Sequence, residues 1–473
     1  MRGPWIAVAL FCTLVPLAGQ FYGDRAGGWL GIDFRAYYCA SLAQREGNDP
    51  YFASSIARCE SETPAPFYRS PKNVTVPAPY PPYALALFYP LTYLPFGAAA
   101  AVWWTILLGC VAAAAYALAR IAKQPILVGW SVVVLSLGLT SLSSGNVLPL
   151  GVAAVIVAGL FVARGELVPA VGAVVVAMVE PHIALPAALA LFVRYRATRL
   201  PLALALVALA AISVAIAGPD RALAYVTDVL PAHALSEVSR DNQYSFSTVL
   251  AAFGVPDASA VLAGSFSYAL ACVAGIVLGL RLAGRYDEPA LTLLVPPAIS
   301  LLGGSFVHTG EIAMAIPACL LLYMRARAYR PWLFGSLLLL AVPWMLSTSI
   351  ALFLAPLFPV AYLTYELWRR ERKAALAAAL ASAAIIAGLF VLSASSGGAP
   401  LPHAHAHPPI DPRLAEASWR ELVLGNTTNR PIMWLLRAPT WAGLIGFAVT
   451  AVALARQATL PLPVRDRLLE SRA

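Results

Sequence analysis

Residues 97–119, GAAAAVWWTILLGCVAAAAYALA, contain no charged side chain. As an α-helix, such a run rises about 1.5 Å per residue, enough to cross the ~30 Å hydrocarbon core of a bilayer. It does not alternate polar with apolar residues as a barrel strand would. A helix also satisfies its own backbone in lipid. Segments 258–280, 331–365 and 438–455 are uncharged too. Across 473 residues the chain is 60% hydrophobic and 12% charged, about half the charged share of a soluble domain. The expected fold class is an all-α polytopic integral membrane protein.

Working outward, about fourteen apolar segments, some only half-length, lie between residues 4 and 455. They predict a bundle of about 12–14 transmembrane helices. The first, within MRGPWIAVALFCTLVPLAG, reads as an uncleaved span rather than a signal peptide. With the N-terminus in the cytoplasm, the short loops on that side carry the arginines and lysines. Examples are Arg120 with Lys123, Arg194 with Arg196 and Arg199, and Arg325 with Arg327 and Arg330. The short loops near Ser144, Glu180, Gly304 and Thr348 carry none. This is the positive-inside pattern, and it accounts for the net charge of +9. No aromatic-basic patch points to nucleic acid.

The long loops, roughly 20–80, 218–257 and 394–437, fall on the outer side. The cytoplasmic loops are short, with no Gly-rich phosphate loop or dinucleotide fingerprint. Chemistry is therefore expected at the outer face, without a cytosolic nucleotide donor. Cys39 and Cys59 share the first outer loop, where a disulfide can form, although their spacing does not fix one.

The polar residues that interrupt this pattern are candidates for a site. GIDFRAYYCAS (31–41) places Asp33 beside Phe34, Arg35 and Tyr37 at a membrane boundary. A carboxylate there suits a general base for a hydroxyl, and aromatic faces suit sugar rings. A loop acid capping a helix is the plainer alternative. VPAPYPPYALALFYPLTYLPF (76–96) brings Tyr80 in a Pro- and Tyr-rich entry to the membrane. SLSSGNVLPL (141–150) sets Asn146 at a helix mouth, and VEPHIALP (179–186) sets Glu180 and His182 in another outer turn. Charged residues near membrane depth point to function; interhelical bonding is the alternative.

SRDNQYSFSTVL (239–250) supplies Arg240, Asn242 and Gln243. GGSFVHTGEIAMAIP (303–317) supplies His308 and Glu311, three apart and so on one helical face. All of these map to the outer side. HAHAH (403–407) has no acidic or Cys partner nearby and reads as part of a solvated linker, so no metal and no cofactor is expected.

In order, GIDFRAYY (31–38), PYPPYALALFYPLTYLPF (79–96), SSGNVLPLGVAAVIVAGL (143–160), VEPHIALPAALALFVRYR (179–196), RDNQYSFSTVL (240–250) and FVHTGEIAMAIP (306–317) resemble the motifs of one family. It is glycosyltransferase family 87, the polyprenyl-phosphate-mannose-dependent mannosyltransferases of the GT-C fold class. The chain departs from its pattern in places. Asn146 stands where Gln is frequent, Glu180 where Lys is frequent, Tyr244 separates Gln243 from Ser245, and Val307 precedes His308 in place of a second His.

The resemblance, which runs in order from about residue 1 to 370, implies a GT-C-like catalytic core over 1–393; the apolar and charge pattern adds an outer loop at 394–437 and a last membrane helix with a basic tail at 438–473. It implies a polyprenyl-phosphate sugar donor, a lipid or glycan acceptor, and Asp33 as general base in an inverting transfer. His308, Asn242, Gln243 and an outer-loop arginine such as Arg240 would hold the phosphate. The setting would be the inner (plasma) membrane, with the site facing the extracytoplasmic side. The competing expectation is a transporter or flippase of lipid-linked sugars, which would show inverted repeats and broken midplane helices.

Overall fold

The computed structural model describes residues 3–27, 29–63, 74–240, 242–341, 357–369, part of 372–384, 407–426 and 431–457. Helix α1 (Gly3–Gly27) leads into the first long loop, which folds as α2 (Ile32–Arg45) and α3 (Ala53–Glu62) and is followed by the short α4 (Pro82–Ala86). A central group follows: α5 (Phe96–Ala122), α6 (Ile126–Val133), α7 (Leu148–Arg164), α8 (Leu167–Ala177), α9 (Pro181–Arg194) and α10 (Arg196–Ala217). The second long loop holds α11 (Pro219–Ala224), α12 (Leu230–Glu237) and α13 (Phe246–Ala252). Then come α14 (Asp257–Tyr286), α15 (Leu291–Ser300), α16 (Ala315–Arg325), α17 (Arg330–Ala341), α18 (Leu357–Trp368), α19 (Ala415–Asn426) and α20 (Pro431–Arg456).

The protein is an all-α polytopic membrane protein. Five described helices are long and apolar enough to cross a membrane: Pro4–Arg25 in α1, α5, α10, α14, and Leu436–Arg456 in α20. Thr309–Arg325 and Arg327–Ala341, bent by 118° to each other, make a sixth if they count as one span. Further apolar stretches, α7, α8, α9, α15 and Ile126–Leu142, are only 10–17 residues long. Hydropathy alone counts these as spans. Turns shorten them: Pro181 restarts the chain after Glu180, while Pro296 and Pro297 are carried inside the ten-residue α15. The Pro-rich stretch after Tyr80 forms α4 and a single 3-10 turn, Tyr89–Tyr93, rather than a span.

Long helices face lipid. Leu204 and Val207 on α10, and Phe266, Leu270 and Val273 on α14, are exposed, which in a membrane protein is the lipid-facing pattern. The inner face of α14 is set by small residues. A Cβ on Gly275 would lie 2.8 Å from the backbone of Pro296, so glycine is needed for α14 and α15 to approach this closely. Half-length helices bring their polar turns into the bundle. Glu180, between α8 and α9, is buried.

The long loops fold against one another. The first is stapled by a disulfide between Cys39 and Cys59, with Cα atoms 5.6 Å apart. Beneath it Arg35 and Glu60 form a buried ion pair at 3.2 Å. Ser418, on the third-loop helix α19, bonds Thr75 of the first loop, and Phe52 bridges Leu414. A short antiparallel bridge joins Gln243 to His308, with Tyr244 N–H donating to Val307 O at 2.7 Å.

Candidate functional site

These loops enclose a chamber of about 730 Å³. Ten of the candidates read from the sequence line it: Asp33, Tyr37, Tyr80, Asn146, Glu180, His182, Arg240, Asn242, His308 and Glu311. They come from widely separated parts of the chain.

Asp33 lies in the first turn of α2. The amides of Gly31 and Asp33 donate to the carbonyls of Ser143 and Ser144, which locks that turn against the 143–146 loop. Gly145 sits there at φ 73°, and a Cβ on it would come within 2.7 Å of the Phe34 Cβ. Asn146 completes the link: its Nδ2 donates to Asp33 Oδ2 at 2.8 Å, while its Oδ1 accepts from the Leu148 amide at 2.8 Å. Burial pushes the Asp33 carboxyl above its ordinary range, opposed by the bonds from Asn146 and Ser144.

From Tyr37 a chain of polar groups crosses the chamber. Tyr37 and Tyr80 hydroxyls are 3.2 Å apart, and Tyr80 donates to Glu180 Oε1 at 2.9 Å. His182 bridges Glu180 and Glu311, with contacts of 3.6 and 3.1 Å. His308 Nδ1 lies 3.1 Å from Glu311 Oε1, and its Nε2 lies 3.2 Å from Glu237 Oε2. Carboxylates and imidazoles thus alternate along one wall.

Glu237 is the most heavily bonded of these acids. Arg240 Nη1 touches both of its oxygens, at 3.0 and 3.2 Å. Gln243 Nε2 donates to Oε2 at 2.9 Å, and Trp419 Nε1 donates to Oε1 at 2.6 Å. Burial alone would raise Glu237, but Arg240 and His308 outweigh it and hold the carboxyl well below its usual range. The Arg240 guanidinium also stacks 5.0 Å from the Trp419 ring centroid. Its Nε and Nη2 make no hydrogen bond among the described residues.

Three candidates lie outside the chamber. Phe34 is wholly buried in an aromatic cluster with Phe88, Phe96 and Trp103. Arg35 is turned to Glu60. Helical geometry accounts for both: Asp33 and Tyr37, four apart, share one face of α2, and Phe34 and Arg35 are rotated off it. Gln243 is buried behind Glu237, with its Oε1 accepting from the Val307 amide at 2.9 Å. It positions the acid rather than facing the cavity.

Among the lining residues that escape the sequence reading are His233, Glu237 and Trp419. His233 and Glu237 are four apart on α12, inside a segment that reads as loop. HALSE (233–237), with its i, i+4 pairing, is the signal that marks them. Trp419 lies in the outer segment set apart from the core, and nothing local marks it as a partner of Glu237.

The architecture defines a multi-pass membrane protein with an acid- and imidazole-lined chamber built from its loops. Residues 79–303, somewhat under half of the chain, match the model of a protein family described as Glycosyltransferase family 87. The match covers Tyr80, Asn146, Glu180, His182, His233, Glu237, Arg240, Asn242 and Gln243, and stops short of Asp33, His308 and Glu311 on either side. No curated protein and no solved structure matches the chain. The family match supports a membrane glycosyltransferase, an enzyme with a sugar donor and an acceptor.

Proposed function

We propose that this protein transfers a sugar, mannose in the first instance, from a polyprenyl-phosphate donor to a hydroxyl of a lipid or glycan acceptor. The observation that carries this reading is the pairing, in one chamber, of a carboxylate without an ion-pair partner among the described residues with an arginine that keeps guanidinium nitrogens for an anion beyond its pair with Glu237. Asp33 is the first and Arg240 the second, with His308 and Asn242 beside Arg240.

Asp33 accepts the acceptor's hydroxyl proton as that oxygen attacks the anomeric carbon. The bond from this carbon to the phosphate oxygen breaks on the opposite face, giving inversion. Polyprenyl phosphate leaves with the bonding electrons, and the cationic end of the chamber stabilises the charge it gains. Because the leaving group is a stable anion, the scheme needs no general acid.

Two further observations support a lipid-linked donor at the extracytoplasmic face of the plasma membrane. Val226 and Leu262 line the chamber and are exposed apolar side chains. A prenyl chain can therefore lie in lipid while its phosphate enters. The Cys39–Cys59 disulfide, in turn, suits an oxidising compartment.

The test is transfer from radiolabelled polyprenyl-phosphate mannose to native membrane glycolipids by lipid-reconstituted protein. Transfer by wild type and its loss in Asp33→Asn, with both equally folded, supports the reading. Transfer by both moves the base elsewhere. No transfer from mannose, glucose or arabinose donors removes the enzyme and leaves a transporter of lipid-linked sugars to be tested.

A further inference from the structure

We infer that His233, Glu237 and His308 form a binding site for one divalent transition-metal ion of the Zn²⁺ type, at the phosphate end of the chamber. One donor atom from each of the three lies within 4.8 Å of the other two. Two imidazoles and one carboxylate are a donor set that such ions take, with positions left open for another ligand.

The local bonding supports a cation at this point. His308 Nδ1 faces Glu311 Oε1 at 3.1 Å. A proton on Nδ1 satisfies that contact and leaves a lone pair on Nε2. This lone pair then faces Glu237 Oε2 at 3.2 Å. In the metal-free protein a proton closes this contact; a bound ion takes the proton's place, and 3.2 Å is close to the separation of neighbouring ligands on an ion with bonds of about 2.0–2.2 Å. Glu311 then plays the part of the carboxylate that orients a metal-bound histidine. Gln243 and Trp419 fix Glu237 in the same way.

His233 is the independent observation. It is 7% exposed and lines the chamber, yet neither ring nitrogen makes a hydrogen bond among the described residues, and its Nδ1 is buried without a partner. An unbonded buried imidazole nitrogen costs free energy. A bound ion would engage a ring that is otherwise left with only its contacts to Phe306 and His308.

The charge of the chamber bears on the donor. Among the described lining residues four carboxylates, Asp33, Glu180, Glu237 and Glu311, are matched by Arg240 and by His182 and His308, which pair with three of them. A dication at the arginine's end would add to the positive charge that an entering phosphate meets there. This last step rests on the donor proposed above; the site itself does not.

The experiment uses full-length protein with a histidine-free affinity tag, stripped with a chelator and titrated with Co²⁺. It reads equivalents bound and the visible absorption of the loaded site. All variants carry glutamine in place of His403, His405 and His407, so that this tract takes no metal; the first two lie outside the described residues. One equivalent is expected in that background, with at least tenfold weaker binding after His233→Gln at an unchanged thermal transition. Pulsed EPR of the same background loaded with Cu²⁺ needs no further variant, and two imidazole couplings are expected. No stoichiometric site, fewer than two imidazoles, or binding untouched by His233→Gln overturns the inference. Sugar transfer by metal-free protein would leave the glycosyltransferase reading standing and remove a catalytic part for the ion. A bound ion without transfer would do the reverse.

Discussion

The two ends of the chamber hold the same kind of side chain in opposite circumstances. Asp33 is bonded by a neutral amide, and no cation lies within ion-pair distance of it among the described residues. Burial therefore dominates and raises its pKa. Glu237 is the more deeply buried of the two, but Arg240, His308, Gln243 and Trp419 all converge on it, and it is held low. Environments that push two carboxylates apart assign them different work. The raised one can exchange a proton; the lowered one stays an anion and organises cations around itself.

Asp33→Asn breaks this comparison most directly. It keeps the shape and removes the base, so transfer should fall by about 10²–10⁴-fold, the usual contribution of such a group. Donor affinity, read by equilibrium binding, should hardly change. A parallel loss of donor affinity would mean that Asp33 holds substrate and does not take the proton.

At the other end, Arg240→Gln should lower transfer by about 10²–10³-fold, as removal of a charge-stabilising donor does. It also leaves Glu237 short of its cation, so the loss should include a lower thermal transition. Arg240→Lys should recover only part of the rate, because a lysine cannot touch Glu237 and stack on Trp419 at once. Full recovery by lysine would show that only a point charge is needed there.

The Asp33 end was far more legible in sequence than the Glu237 end, and the reason is physical. Asp33, Asn146, Glu180 and Glu311 each stand where an apolar run meets a polar turn, and hydropathy marks such positions. Glu237 and His233 lie in a helix of eight residues inside a long loop, without an apolar run to frame them. Trp419 reaches Glu237 across a sequence separation of 182 residues, which no local pattern encodes. Within α2, proximity in sequence misled: Phe34 and Arg35 adjoin Asp33 but face away from it. The helical character of the fold was plain from residues 97–119 alone. Hydropathy cannot tell a half-length helix with a buried polar turn from a span, so the number of crossings was not.

The ends also differ in how they are tied down. The α2–α3 pair that presents Asp33 is cross-linked by Cys39–Cys59 across 20 residues, and nothing covalent braces Glu237. Closing a loop of that size contributes about 2–4 kcal/mol. Cys39→Ser with Cys59→Ser should therefore lower the thermal transition measurably and reduce transfer more than donor binding. An equal loss of both would mean that the first outer loop shapes the whole chamber rather than one end of it.

The smallest and sharpest test lies in pH. Asp33 must be ionised to accept a proton, so kcat/KM should fall on the acid side as pH drops through its pKa. Burial has already raised that pKa above the ordinary carboxyl range. The Asn146 bond favours the ionised form and works against the rise. Asn146→Ala removes it and should move the acid limb upward by about one pH unit, since a bond to a charged group contributes about 1.5 kcal/mol and a unit is about 1.4. The alkaline plateau should keep its height if Asn146 acts only through Asp33. A limb that stays where it is would assign the titrating base to another carboxylate, and Glu180, bonded through Tyr80 to the same wall, would be the next to substitute.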